Sequence, residues 1–344
     1  MLPQSSIWQA LRQAALDTVQ GGCGLPYASP PTLASWLHAG AFSVGAVTTR
    51  GFSLNASAAE IGSVLLSESL FSADRALEHS VTLRNQLSCH RWSSPTWTSV
   101  TFYYWAYHLA VALTRLLGKS SWFISDELAS TLSSLAPAGC TRHGAGPYVL
   151  ECGELVSGTV REVIIRRSRQ TRTHDAIWNL WHSRLRDFTK GVTAQKRGDD
   201  EARFYLALIS ATNALGNTWP SDLRNAINYS NSTGYGAVRN QNATAVFAMV
   251  LIDPPSTVDQ LIDRLEGNAA GLRFGQPLEE QLRVATKVLV DLSIGMQLVY
   301  DGLIEEILSR RSVDVRWPNA RVAFARSHAG AFGVKQWPCG RHAG

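Results

Sequence analysis

The chain has 344 residues, 45% of them hydrophobic and 17% charged, with a formal net charge of +5. This balance excludes a disordered or fibrous polypeptide and leaves enough apolar side chain for one large domain or two ordinary ones. The small positive excess favours acidic partners, nucleic acid first, but is too dilute to identify one.

An amphipathic helix is expected within residues 1–20, where Ile7, Trp8, Leu11, Ala15 and Leu16 recur at helical spacing. Gly21-Gly22-Cys23-Gly24, Pro26, Pro30 and Pro31 stop it. From there to residue 54, short strands and irregular packing fit equally. Between Ala58 and Leu87 the apolar positions Ile61, Leu65, Leu66, Leu70 and Leu83 return to helical steps. Ser93-Ser94-Pro95-Thr96 breaks this pattern, and a second helix is expected from Thr98 to Leu117, closed by Gly118. Phe102, Tyr103, Tyr104, Trp105, Tyr107 and His108 crowd this helix. So many rings do not fit one core stripe, so some should meet another helix or another chain. Tyr103, Tyr104 and Tyr107 are the candidate oligomer interface.

Residues 118–147 read as irregular. Tyr148–Glu151 and Val160–Ile165 form a candidate β-hairpin joined through Gly153–Gly158. A lone pair of strands is marginal, so it should pack on helices. Thr173 is a candidate N-cap for a helix through Ile177, Trp178, Leu180, Trp181, Leu185 and Phe188. Further helices are expected over 201–215, from a Ser221 or Asp222 cap, over 256–265 and over 277–308. Phe247–Ile252 is a short apolar run stopped by Pro254-Pro255. The fold class expected is mainly α, a helical bundle with a small inserted hairpin.

Arg161, Arg166, Arg167, Arg169 and Arg172 lie close together ahead of a helix start, next to His174. Such a cluster fits a phosphate backbone, with Arg166, Arg167, Arg169 and Arg172 as candidate nucleic-acid contacts; a solvated basic loop fits equally. Trp178 and Trp181 follow it, and their apolar periodicity marks them as core rather than stacking platforms. The five cysteines form no CxxC pair, and no Walker loop, GxGxxG, HExxH or GxSxG occurs, so no metal or cofactor is expected. No run of about eighteen apolar residues and no apolar leader core are present, which predicts no membrane association and a cytoplasmic location.

Tyr103-Tyr104-Trp105-Ala106-Tyr107-His108-Leu109-Ala110, then Ala112-Leu113 and Gly118, resembles the aromatic, alanine-rich helix of HEPN domains (higher eukaryotes and prokaryotes nucleotide-binding). The apolar helix 201–215 followed by Leu223-Arg224-Asn225 resembles that family's later helix pair. The resemblance spans residues 58–250, with the hairpin as an insertion. It implies an N-terminal extension over 1–54, a HEPN-like helical domain over 55–252 with its hairpin near 148–166, C-terminal helices over 253–310 packed on it, and a basic tail over 311–344. The family signature is Arg, four to six residues, then His, often with a polar residue directly after the Arg. Active members are metal-independent endoribonucleases, commonly with two facing chains, and the resemblance places this chain in bacterial antiviral defence or toxin–antitoxin systems. There an Arg holds the scissile phosphate, a His moves the proton, and the vicinal 2′-OH attacks.

Carried over, Arg224 and Asn225 match, while Tyr229 stands at the nearest permitted His position. A phenol with an ordinary pKa of about 10 does not shuttle protons at neutral pH as imidazole does. Tyr229 is left to bind phosphate or stack on a base, and His174 is the candidate acid–base group if folding delivers it. The candidate catalytic set is therefore Arg224, Asn225, Tyr229 and His174. The alternative is that Arg224 and Asn225 merely join the ends of neighbouring helices. Literal Arg-to-His spacings also occur from Arg84 to His90, from Arg169 to His174 and from Arg321 to His328. The function expected is a HEPN-like subunit that binds RNA or assembles with partner proteins or copies of itself; an endoribonuclease acting through Arg224 and Asn225 is the alternative.

Overall fold

The computed structural model describes residues 6–19, 32–88, 94–135, 143–190, 200–229, 255, 257–273, 275–276 and 278–311. Among them the chain is mainly helical, with one antiparallel sheet of five strands. The basic tail and the 247–252 apolar run lie outside the described residues.

Helix α1 (Ser6–Thr18) buries Ile7, Leu11 and Ala15. The long α3 (Ala58–Ser88) and α4 (Pro95–Leu116) make the broadest helix contact. The Ser94 side chain accepts from the Trp97 amide, and Pro95 occupies the first helical turn, where it forfeits no helix hydrogen bond. At the other end Gly118 takes φ 78°, the left-handed conformation that closes a helix with least strain for glycine. Phe102, Trp105, Ala106, Leu109, Ala110 and Leu113 are all buried, so α4 is surrounded on most sides. Helices α6 (Thr173–Thr189), α7 (Asp200–Thr212), α8 (Trp219–Tyr229), α9 (Val258–Gly271) and α10 (Leu278–Arg311) complete this layer. At Gly295 of α10 a Cβ would lie 2.7 Å from the Leu208 side chain, so α7 needs glycine there to approach. Trp178 and Trp181 are fully buried in this core.

The sheet runs β1 (Phe42–Thr48), β2 (Gly51–Ser57), β5 (Val160–Arg167), β4 (Gly146–Ser157), β3 (Lys119–Ile124) across its width. Leu54 pairs with Val163, Ile165 with Leu150, and Leu150 with Ser120. Alternate residues such as Phe52, Leu54, Val163, Ile165, Tyr148 and Leu150 point to one buried face. They pack with α2 (Leu33–Ala39), α3 and α5 (Asp126–Ser134) through Leu37, Ile61, Leu65 and Leu128. The expected hairpin is thus the middle of a larger sheet, not an isolated insertion. Residues before 55 supply α1, α2, β1 and the first part of β2, and the stretch that reads as irregular holds β3 and α5.

Three local expectations change. The N-cap of α6 is Arg172, without a side-chain bond, rather than Thr173. Helix α8 starts at Trp219, so Ser221 is no cap; its hydroxyl donates to Asp175 Oδ1 (2.6 Å), tying α8 to the first turn of α6. Arg161 is only 5% exposed and donates to the carbonyls of Asp17 and Gly153, satisfying the C-terminal end of α1. It is therefore withdrawn from the basic cluster. Among the described residues no helix is long and apolar enough to cross a membrane.

Candidate nucleic-acid interface

Helices α4, α6 and α8 meet around Arg224, with α3 adding His79. Ile227 anchors α8 against Val100 and Leu282, and the Trp219 indole donates to the Ala211 carbonyl (3.0 Å). These inward contacts leave Arg224 on the half-buried flank of α8. Its Nη2 donates to the Tyr104 hydroxyl (2.8 Å), and its Nη1 to Asn225 Oδ1 (3.0 Å) and the Tyr229 hydroxyl (3.4 Å). The guanidinium also lies against both rings, 5.7 Å from the Tyr104 centroid and 5.4 Å from that of Tyr229. Among the described residues no carboxylate pairs with Arg224, whereas Arg12, Arg115 and Arg264 each hold one and Arg203 holds two. Burial opposes its charge, but the oxygens of Tyr104 and Tyr229 more than offset this and raise its pKa above the ordinary arginine value.

His174, in the first turn of α6, reaches the same cluster. Its ring stacks on Tyr107 with centroids 4.2 Å apart and meets Tyr104 edge-on at 6.1 Å. Its Nδ1 lies 2.6 Å from the Tyr103 hydroxyl. Burial pushes the Tyr103 phenol far above its usual range, so it stays protonated beside Nδ1, and which of the two donates is set by the His174 tautomer. Burial, and next the charge of Arg224, lower the His174 pKa to about 4, with Asp175 opposing. His108 is lowered to about 3, first by burial and then by His79 and Arg75. His79 is also lowered by burial, and it stacks on His108 (5.4 Å) and on Tyr104 (5.6 Å). At neutral pH these three imidazoles are uncharged rings. They stack rather than converge, and among the described residues no group of His, Cys, Asp or Glu is placed to hold a metal ion.

The fold therefore brings Arg224, Asn225, Tyr229 and His174 to one place. Tyr104, which touches Arg224 directly, belongs with them, and His79 and His108 extend the ring surface. Their one sequence signal is helical: Tyr104 and His108 share a face of α4. Tyr103 is corrected as an interface residue: it is 1% exposed and bonded to His174, so no second chain reaches it. Tyr104 and Tyr107 remain half-buried. Arg166, Arg167, Arg169 and Arg172 are exposed at the end of β5 and in the loop before α6. Arg169 and His174 have the literal motif spacing yet part company, since Arg169 lines a separate cleft. Arg84 lies late in α3, while His90, Arg321 and His328 lie outside the described residues.

Chemically the cluster is rich in donors. A guanidinium, phenol hydroxyls and an imidazole N–H suit an anion, and the flat rings around them suit stacked bases. Burial and the charge of Arg224 depress the basicity of His174, whose Nδ1 lies against the Tyr103 hydroxyl. Comparison with protein-family models, with curated proteins and with solved structures finds no match to this chain.

Proposed function

We propose that this chain binds single-stranded RNA as a HEPN-like helical protein of a bacterial defence or toxin-type system. Arg224 holds a phosphate, Asn225 orients the guanidinium, and Tyr229 and Tyr104 offer rings to unpaired bases. The observation that carries this is the bonding of Arg224, whose hydrogen-bond partners among the described residues are the neutral oxygens of Tyr104, Asn225 and Tyr229. A half-buried cation without a carboxylate is an anion site in waiting. Tyr229 adds to it, being 72% exposed at the end of α8 beside that cation. A large exposed ring beside a cation offers a face to an unpaired base, and base stacking is worth about 1–3 kcal/mol per base. The HEPN analogy rests on the aromatic helix α4 and the α7–α8 pair, and the biological setting on that analogy alone. The test is binding of a fluorescent single-stranded RNA to the full chain and to Arg224→Ala.

The proximity of His174 to Arg224 favours one second reading, a metal-independent endoribonuclease. Total RNA incubated in EDTA would then be cut by wild type and spared by both Arg224→Ala and His174→Ala. Equal cutting by His174→Ala would exclude His174 as the proton-transfer group.

A further inference from the structure

The outward side of α6 borders a cleft of about 550 Å³ that shares no residue with the Arg224 cluster. Arg167 and Arg169 come to its lining from the end of β5 and the following loop, and Arg186 and Lys190 from the last turn of α6 and just beyond. Asp187 is the single carboxylate of the lining, and it is bonded to Lys190 (2.6 Å). Among the described residues neither Arg169 nor Arg186 has an ion pair, and both are exposed, so neither is held there by the core. Cations from two separate elements thus surround one hollow, where each raises the electrostatic energy of the others. Val149, Ala176 and Leu180 give the same hollow an apolar lining, and Asn179 and Asn217, bonded to one another, add amide groups. A concave, partly apolar space with a few convergent polar groups is the usual form of a small-molecule site, and this volume falls in the customary range.

We propose that this cleft binds a phosphate-bearing anion, with Arg169 and Arg186 taking its charge and Val149, Ala176 and Leu180 its attached group. Two guanidinium forks match the oxygens of a phosphate or pyrophosphate better than two ammonium groups would. The assignment is independent of the Arg224 reading and survives its failure.

The experiment is calorimetric titration of the full chain with inorganic pyrophosphate at fixed ionic strength. Wild type and Arg224→Ala are expected to bind saturably, and the Arg169→Ala/Arg186→Ala double variant, made in the Arg224→Ala background so that Arg224 takes no pyrophosphate, at least about tenfold more weakly. Both positions are exposed, so the double variant should keep its urea midpoint; Arg186→Glu, reversing one charge, gives a second check of the same loss. No saturable binding by wild type, or unchanged binding by the double variant, would overturn the site. Phenyl phosphate should bind more tightly than inorganic phosphate; equal affinity would overturn the role given to the apolar lining. An RNA oligonucleotide that displaces pyrophosphate from Arg224→Ala would assign the phosphate to a strand, and one that does not would assign it to a small phosphorylated molecule. Either result keeps the phosphate chemistry.

Discussion

At the scale of single residues, the decisive contact is between the Tyr103 hydroxyl and His174 Nδ1, 2.6 Å apart. Burial first, and then the charge of Arg224, favour the neutral form of His174. The same imidazole in the sequence-level motif would be an acid–base group; in this setting it is an N–H donor beside a cation. Arg224→Ala removes the charge that, after burial, lowers the His174 pKa. That pKa should then rise from about 4, as followed by imidazole NMR against pH. An unmoved or lower value would show that the guanidinium does not act on the ring. His174 was the hardest site residue to place from sequence. It lies fifty positions from Arg224, and nothing in periodicity says that the first turn of α6 faces the tyrosines of α4.

Among the elements, α9 and α10 illustrate how a polar contact is carried inside a helical core. Asp291 of α10 is fully buried, paired with Arg264 of α9 (2.8 Å) and bonded by Asn268 (2.9 Å). Burial raises the Asp291 pKa, and Arg264 opposes that shift. Arg264→Ala should therefore cost about 3 kcal/mol in urea unfolding, since it strands a buried carboxylate. A loss near zero would mean that Asn268 alone satisfies Asp291. These helices were legible because their apolar positions recur with the helical period over long stretches, as in α3 and α10. The strands were less so. In β3 the buried positions include Ser120 and Ser121, so no alternation of apolar and polar residues marks them. In β1 half the positions are small or exposed, as suits an edge strand. Only β4, through Tyr148 and Val149, and β5, rich in β-branched residues at the sheet centre, announced themselves.

Over the whole molecule, the histidines couple the cluster to stability. His79, His108 and His174 are all held below the ordinary value of 6.5, so the unfolded chain binds protons more readily than the fold. Stability should be full above pH 6.5 and fall as pH drops toward about 4, where His174 itself protonates in the fold. Urea midpoints measured across that window should decline less steeply in His108→Gln than in wild type; parallel slopes would show that His108 is not so depressed. The overall helical class was readable in the sequence, but the meeting of α3, α4, α6 and α8 was not, because it depends on which faces pack together. That meeting sets Arg224 among neutral oxygens and uncharged rings, which is the basis of the proposed RNA site. Fluorescence anisotropy with a single-stranded RNA in EDTA tests it most directly. Wild type should bind the strand more tightly than a duplex of the same sequence, and Arg224→Ala should lose about tenfold affinity with a shallower salt dependence. Equal binding by Arg224→Ala and wild type, at every salt concentration, would contradict the account.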